Sequence, residues 1–192
     1  MITKLFTIRA LSQRDPVWAR RKLGFSQGTL GDYGCAVTAL AMLLNYVDGE
    51  LIGINDRHTP VTVNQALRVA NGFRGKYRNY LNWPAVPSVW PFLEYDDRVD
   101  CANRLAHKSE LKEIDERLAK RMPVIVYVDA RRQEPGLQQH FVLIIGQDTD
   151  TGLYRINDPW HGDMALLCPR YGATPAQALC GIILFDRLTT AD

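Results

Sequence analysis

Gly31-Asp-Tyr-Gly-Cys35-Ala-Val-Thr-Ala-Leu-Ala-Met-Leu-Leu-Asn-Tyr46 is the stretch on which the fold turns. From Cys35 to Tyr46 it is apolar on nearly every face, and its Ala, Leu and Met content favours a buried helix over a strand. Gly31 to Gly34 supplies the turn in front, so Cys35 opens the helix. A thiol there meets the unpaired N–H groups and the positive end of the helix dipole, which lower its pKa from about 8.5 toward ~7 or below. The other reading of Cys35 is a buried structural thiol, since free cysteine is among the most buried residues.

Two more helices are expected before the middle of the chain. Thr62 to Asn71 has Thr62 as N-cap, Gly72 as stop and Val63, Ala66, Leu67 and Ala70 on one face. Ser109 to Arg121 puts Leu111, Ile114 and Leu118 together, with Glu110 and Glu113 early and Lys120 and Arg121 late, as a helix dipole favours. From Pro123 the pattern changes to short strands, Val124 to Val128, His140 to Ile145, Tyr154 to Asn157 and Gly181 to Phe185, separated by Gly, Asp and Pro turns. Helices in the first half and antiparallel strands in the second predict an α+β fold. Gly72 to Val99, rich in Asn, Pro, Trp and Tyr, reads as a long ordered loop or lid.

The strands supply partners for Cys35. His140 begins His-Phe-Val-Leu-Ile-Ile-Gly146, where alternation sends His140, Val142 and Ile144 to one face. Asp158 lies 18 residues on, at the end of Tyr-Arg-Ile-Asn-Asp, and a hairpin around Gln147 to Gly152 brings it back beside the His140 strand. A nucleophile needs a base, and the base needs a group that fixes its tautomer, so Cys35, His140 and Asp158 form a complete set for nucleophilic catalysis. Asp158 before Pro159 is also an ordinary turn residue.

Four ordered blocks, Gln13-Arg-Asp-Pro-Val-Trp18, Thr29 to Met42, Gln139 to Gly146 and Tyr154 to Trp160, resemble the papain-like cysteine peptidases of the bacteriocin-leader-processing type. More narrowly they resemble the stand-alone "thirty-nine-like" peptidase domains, over roughly Leu11 to Phe185. The resemblance implies a papain-like α+β fold, bacterial or phage-borne. It implies Cys35 as nucleophile, His140 as general base and acid, and Asp158 as the orienting residue, with amide cleavage through a thioester. It also implies a Gln that donates to the oxyanion alongside the Cys35 N–H. Gln13 matches the family block but stands 22 residues before Cys35, whereas Gln27 stands eight before it, so both are candidates. Asn157 is a rival to Asp158, because papain uses an amide as its third member.

Trp160 and Gly34 are the candidate substrate contacts, with Trp83 and Trp90 as further aromatics that either line a cleft or pack. His161 reads as a turn residue or a substrate contact, while His58 and His107 read as solvated surface side chains. Cys101, Cys168 and Cys180 read as bystanders, with Cys180 in the core.

Composition narrows the class further. At 192 residues, 46% hydrophobic and 23% charged, the chain is expected to be a single folded domain over 1–192, helical to about 122 and sheet over about 123–187. Twenty-three Lys and Arg against 21 Asp and Glu offer no electrostatic case for nucleic acid. Lys4 and Arg9 interrupt the N-terminal apolar residues, so no signal peptide is expected, which leaves a cytoplasmic site or association with a phage particle or secretion apparatus. No apolar run approaches the ~20 residues of a membrane span. No cysteine pair or His and carboxylate cluster has metal-ligand spacing, and no cofactor is expected. The expected partner is a peptide or protein substrate. The competing readings are a peptidoglycan amidase or endopeptidase of NlpC or CHAP type acting on cell-wall peptide, and a non-catalytic papain-like binding or structural module of a phage particle or secretion apparatus.

Overall fold

A computed structural model describes residues 5–52 and 56–188; Lys4, and the ends of the span 1–192, lie outside the described residues. A short helix α1 (Leu30–Tyr33) runs into the long α2 (Cys35–Ile52). Val37, Ala39 to Leu44 and Val47 are all buried, which is why that segment shows no polar face. At the joint, a Cβ on Gly34 would sit 2.4 Å from the Leu30 carbonyl oxygen, so only glycine lets the two helices meet this closely.

α3 (Pro60–Val69) starts earlier than its periodicity indicates. Thr59, not Thr62, is the N-cap; Thr62 is the third helical residue, and the two threonines exchange bonds in a capping box ahead of Pro60. Its stop is Asn71, at φ +52°, rather than Gly72. The segment expected to be a long loop holds regular structure instead. It contains a small hairpin, β1 (Phe73–Arg74) with β2 (Tyr80–Leu81), a 3-10 turn Trp83–Ser88, and the strand β3 (Leu93–Asp100). β3 carries Glu94, Asp96, Asp97 and Asp100, so it has no apolar alternation to read; charged residues on an outermost strand guard its free edge.

After α4 (Lys108–Ala119) come β4 (Val124–Asp129), β5 (Gln139–Gln147), β6 (Tyr154–Asp158), β7 (Asp163–Leu166), two short helices α5 (Leu167–Arg170) and α6 (Pro175–Ala178), and β8 (Leu179–Arg187). Six strands form one antiparallel sheet in the order β3-β8-β4-β5-β6-β7. The mixed helix and antiparallel sheet architecture stands. The division near residue 122 is less clean than expected, because β3 comes from the first half and two helical turns from the second.

α2 packs against β5, which brings the helix bearing Cys35 onto the strand bearing His140. Buried Arg117 of α4 holds the far side of the sheet through Asp96 on β3 and Asp186 on β8. Tyr154 on β6 donates from its hydroxyl to Asp115 of α4 at 2.7 Å. Among the described residues no helix is long and apolar enough to cross a membrane.

Candidate active site

Cys35 is the first residue of α2, where backbone N–H groups have no acceptor in the preceding turn. Cys35 is half-buried and lines a cleft of about 1050 Å³ together with His140, Gln13, Trp160, Trp83 and Tyr171. Its side chain meets the His140 ring directly, and the Phe141 and Ala36 amides also point at the sulfur. Burial alone would raise the thiol pKa, but the His140 hydrogen bond and charge outweigh it, and the Cys35 pKa falls below its ordinary value. The other three cysteines go the opposite way: burial raises Cys168, Cys180 and Cys101, the last to about 11.

Strand register accounts for the next contact. Leu143 pairs with Asn157, so the following residue, Asp158, faces the side of the sheet shared by Val142 and His140. His140 Nε2 and Asp158 Oδ1 are 2.8 Å apart, which leaves Nδ1 as the ring nitrogen available to Cys35. Asn157 points the other way. Its amide donates to the Ile8 carbonyl at 2.9 Å, so it stands outside the cysteine and histidine pair.

Asp158 is fully buried and receives more than one donor. Besides His140, the Trp160 amide donates to Oδ1 at 3.0 Å, and Oδ2 accepts from Arg170 Nη1 at 3.1 Å and from the Tyr171 hydroxyl at 2.5 Å. Burial pushes its pKa up, but these donors, His140 foremost, hold it well below the usual carboxylate range. For His140 burial disfavours the charged ring, yet Asp158 and Cys35 overcome it and raise the pKa to about 9. Arg170 also grips Asp163 through two bonds of 2.7 and 2.8 Å, tying the start of β7 to α5. Sequence reasoning missed Arg170 and Tyr171. An Arg-Tyr pair 12 and 13 residues beyond an Asp has no recognisable spacing, and a return of the chain through α5 puts it there.

The two candidate glutamines separate clearly. Gln13 is buried and lines the cleft, with its amide nitrogen donating to the Gly31 carbonyl at 2.9 Å and its backbone N–H to the Pro159 carbonyl at 2.7 Å. Gln27 is exposed, accepts from Lys22 Nζ at 2.8 Å and does not line the cleft. Sequence distance misleads here because the N-terminal segment folds back against the Asp158-Pro159 turn.

Trp160, 39% exposed, lines the cleft under Arg14, whose guanidinium carbon is 4.7 Å from the ring centroid. Gly34 does not line it; its backbone is spent on the Leu30 contact while its neighbours Tyr33 and Cys35 face the opening. His161 lines the cleft, Trp90 does not, and His107 caps α4 through its backbone N–H, 2.8 Å from Glu110. His58 is not a solvated surface residue. It pairs with Asp48 at 2.5 Å with its side chain 11% exposed. Among the described residues no three His, Cys, Asp or Glu side chains are arranged to hold a metal ion.

A family model described as the Peptidase_C39 like family matches residues 8–170, most of the chain. The chain belongs to that family. The matched span contains Gln13, Cys35, His140 and Asp158, and it ends at Arg170, just before Tyr171. Membership of that family suggests cysteine peptidase activity. Among solved structures, one described as that of a candidate C39-like peptidase from Bacillus anthracis covers 93% of this chain and 98% of its own at 15% identity. Its TM-score of 0.48 is too low for the likeness to carry an argument. No curated protein matches.

Proposed function

We propose that the protein is a papain-like cysteine peptidase, a single catalytic domain that cuts an amide bond in a peptide or protein. The observation that carries this reading is the pairing of Cys35 with His140 at the wall of the cleft, with buried Asp158 2.8 Å behind the imidazole. In the reaction the Cys35 thiolate attacks the scissile carbonyl carbon, and His140 protonates the departing amine as the C–N bond breaks. Water, deprotonated by His140, then attacks the thioester; the carboxylic acid leaves and the thiol is restored. Asp158 keeps the imidazole in the orientation and tautomer this needs, and stabilises the imidazolium. The developing oxyanion is received by the Cys35 N–H and the Gln13 amide, whose nitrogen has a second hydrogen beyond the one given to Gly31. Trp160, hydrogen-bonded through its backbone to Asp158, forms the floor on which the substrate lies.

Iodoacetamide labelling of the native protein is expected to modify Cys35 well before Cys101, Cys168 and Cys180; equal rates would remove the activated nucleophile. Casein, a double-glycine leader peptide and purified cell wall, each compared with a Cys35→Ala control, separate the outcomes. Cleavage of casein or leader supports the peptidase, cleavage of wall alone redirects it to a wall-peptide hydrolase, and no turnover indicates a binding module.

A further inference from the structure

The charges along the cleft are not balanced. Its lining holds three guanidinium groups, Arg74, Arg98 and Arg131, against one carboxylate, Asp32, in a chain whose net charge is only +2. Asp32 is already engaged by the Thr29 hydroxyl at 2.7 Å. The three arginines come from β1, from β3 and from the loop joining β4 to β5, so only the tertiary structure collects them.

Each is presented differently. Arg74 is exposed and, among the described residues, has no carboxylate within hydrogen-bond distance. Arg98 is held in place. Its Nε donates to Asp100 at 2.8 Å, and its guanidinium carbon is 5.2 Å from the Tyr127 ring centroid. The Tyr127 hydroxyl reaches the same Asp100 at 2.6 Å. That ring lies over Gly181, where any Cβ would come within 2.2 Å of it, so the glycine is what lets the platform form. Arg74 and Arg98 line the same cleft.

Arg131 sits on a loop that is fixed from inside. Buried Asp129 accepts from the Arg131 and Gln138 amides at 3.2 Å each and from Arg104 Nη1 at 2.7 Å. Arg104 also donates to the Gly136 carbonyl at 3.0 Å. Among the described residues the Arg131 guanidinium meets only Glu134, at 3.4 Å and in solvent, a pairing that contributes little. The same cleft exposes Tyr33, Tyr80 and Leu137, apolar surface for the body of an extended chain.

Arg98 is neutralised by Asp100, which leaves Arg74, and Arg131 with its solvent-exposed partner, as the guanidinium groups able to select carboxylates, through paired N–H donors that an amide or a cation does not satisfy. We infer that the cleft selects peptide substrates carrying acidic side chains near the scissile bond, with Arg74 and Arg131 as the residues that set this preference. This rests on the peptidase reading of the same site, and a binding measurement without turnover keeps the two apart.

The Cys35→Ala protein is titrated with two fluorescein-labelled peptide pools, identical except for Glu or Gln at two fixed positions. The Glu pool is expected to bind about tenfold more tightly at low ionic strength, as one or more charge-assisted hydrogen bonds would give, and the gap should close as salt rises. Arg74→Gln with Arg131→Gln, both at exposed positions, should bring the two pools together while the melting temperature stays put. Equal affinity for the two pools, or an unchanged preference in the double variant, overturns the inference. If the acidic preference holds while wild-type protein cleaves neither pool, the peptidase reading fails and the acid-selective groove remains.

Discussion

A histidine and aspartate pair lies near each end of α2, and the two pairs differ in what surrounds them. Near its N-terminal end His140 and Asp158 lie 2.8 Å apart; near its C-terminal end His58 and Asp48 lie 2.5 Å apart. Both pairs are largely shielded, with side-chain exposures of 8% and 0% for the first and 11% and 6% for the second. At the second pair, the Asn45 side chain binds both the N–H and the carbonyl of His58, at 2.7 and 2.8 Å, and the edge of Trp90 closes the site at 6.1 Å between ring centroids. That pair latches α2 to the entry of α3. At the first, the imidazole meets a thiol and a large cleft, while its aspartate is oriented by Tyr171, Arg170 and the Trp160 amide. Proximity of His and Asp is therefore common to a structural clasp and a candidate catalytic pair. A nucleophile on the far side of the ring and an opening to solvent are what set one apart.

Substitutions at the two ends should split accordingly. His140→Ala should lower kcat/KM by about four orders of magnitude or more, as loss of a catalytic base does, while leaving the protein folded. Turnover within a few-fold of wild type, measured on whichever substrate is cleaved, would make the N-terminal pair a clasp like the other.

Asp158→Asn should cost on the order of 10²- to 10⁴-fold and also move the pH profile. With the His140 pKa raised to about 9 and that of Cys35 lowered, the thiolate and imidazolium coexist between the two, and the alkaline limb of kcat/KM should fall near pH 9. Removing the aspartate charge lowers the His140 pKa, so that limb should shift to lower pH; an unmoved limb would detach Asp158 from the histidine. The same shift has a stability sign. The His140 pKa is higher folded than unfolded, so its contribution is complete below about pH 6.5 and fades as pH rises through about 9, which melts across that range will show.

The smallest effect on turnover is expected at the other end. His58→Gln should leave kcat/KM of the folded protein unchanged yet cost about 1–3 kcal/mol, because a buried Asp48 loses its partner. That is a fall of roughly 2–10 °C in Tm for a chain of this size. A large loss of activity at full stability would overturn the division between the two ends.

The elements that could be read in advance are those whose side chains face one environment throughout. α2 and strands β4, β5 and β8 are buried along most of their length, and their continuous apolar runs announce them. β3 and β7 are the outermost strands of the sheet, and their charged or short sequences take strand form only because β8 and β6 offer free backbone groups. His58 looked like a surface residue because its flanks, Arg57 and Thr59, are polar; its burial comes from Asn45 and Asp48, a helix away.

Residue chemistry and local periodicity, which are properties of the chain alone, determined that Cys35 opens an apolar helix, that His140 begins a strand and that Asp158 ends another. Which glutamine lines the cleft that holds the cysteine, which of Asn157 and Asp158 meets the imidazole, and which distant arginines share that cleft were decided only in the folded molecule. Those choices depend on strand register and on chain return, and a single-residue step in a strand turns a side chain to the opposite face.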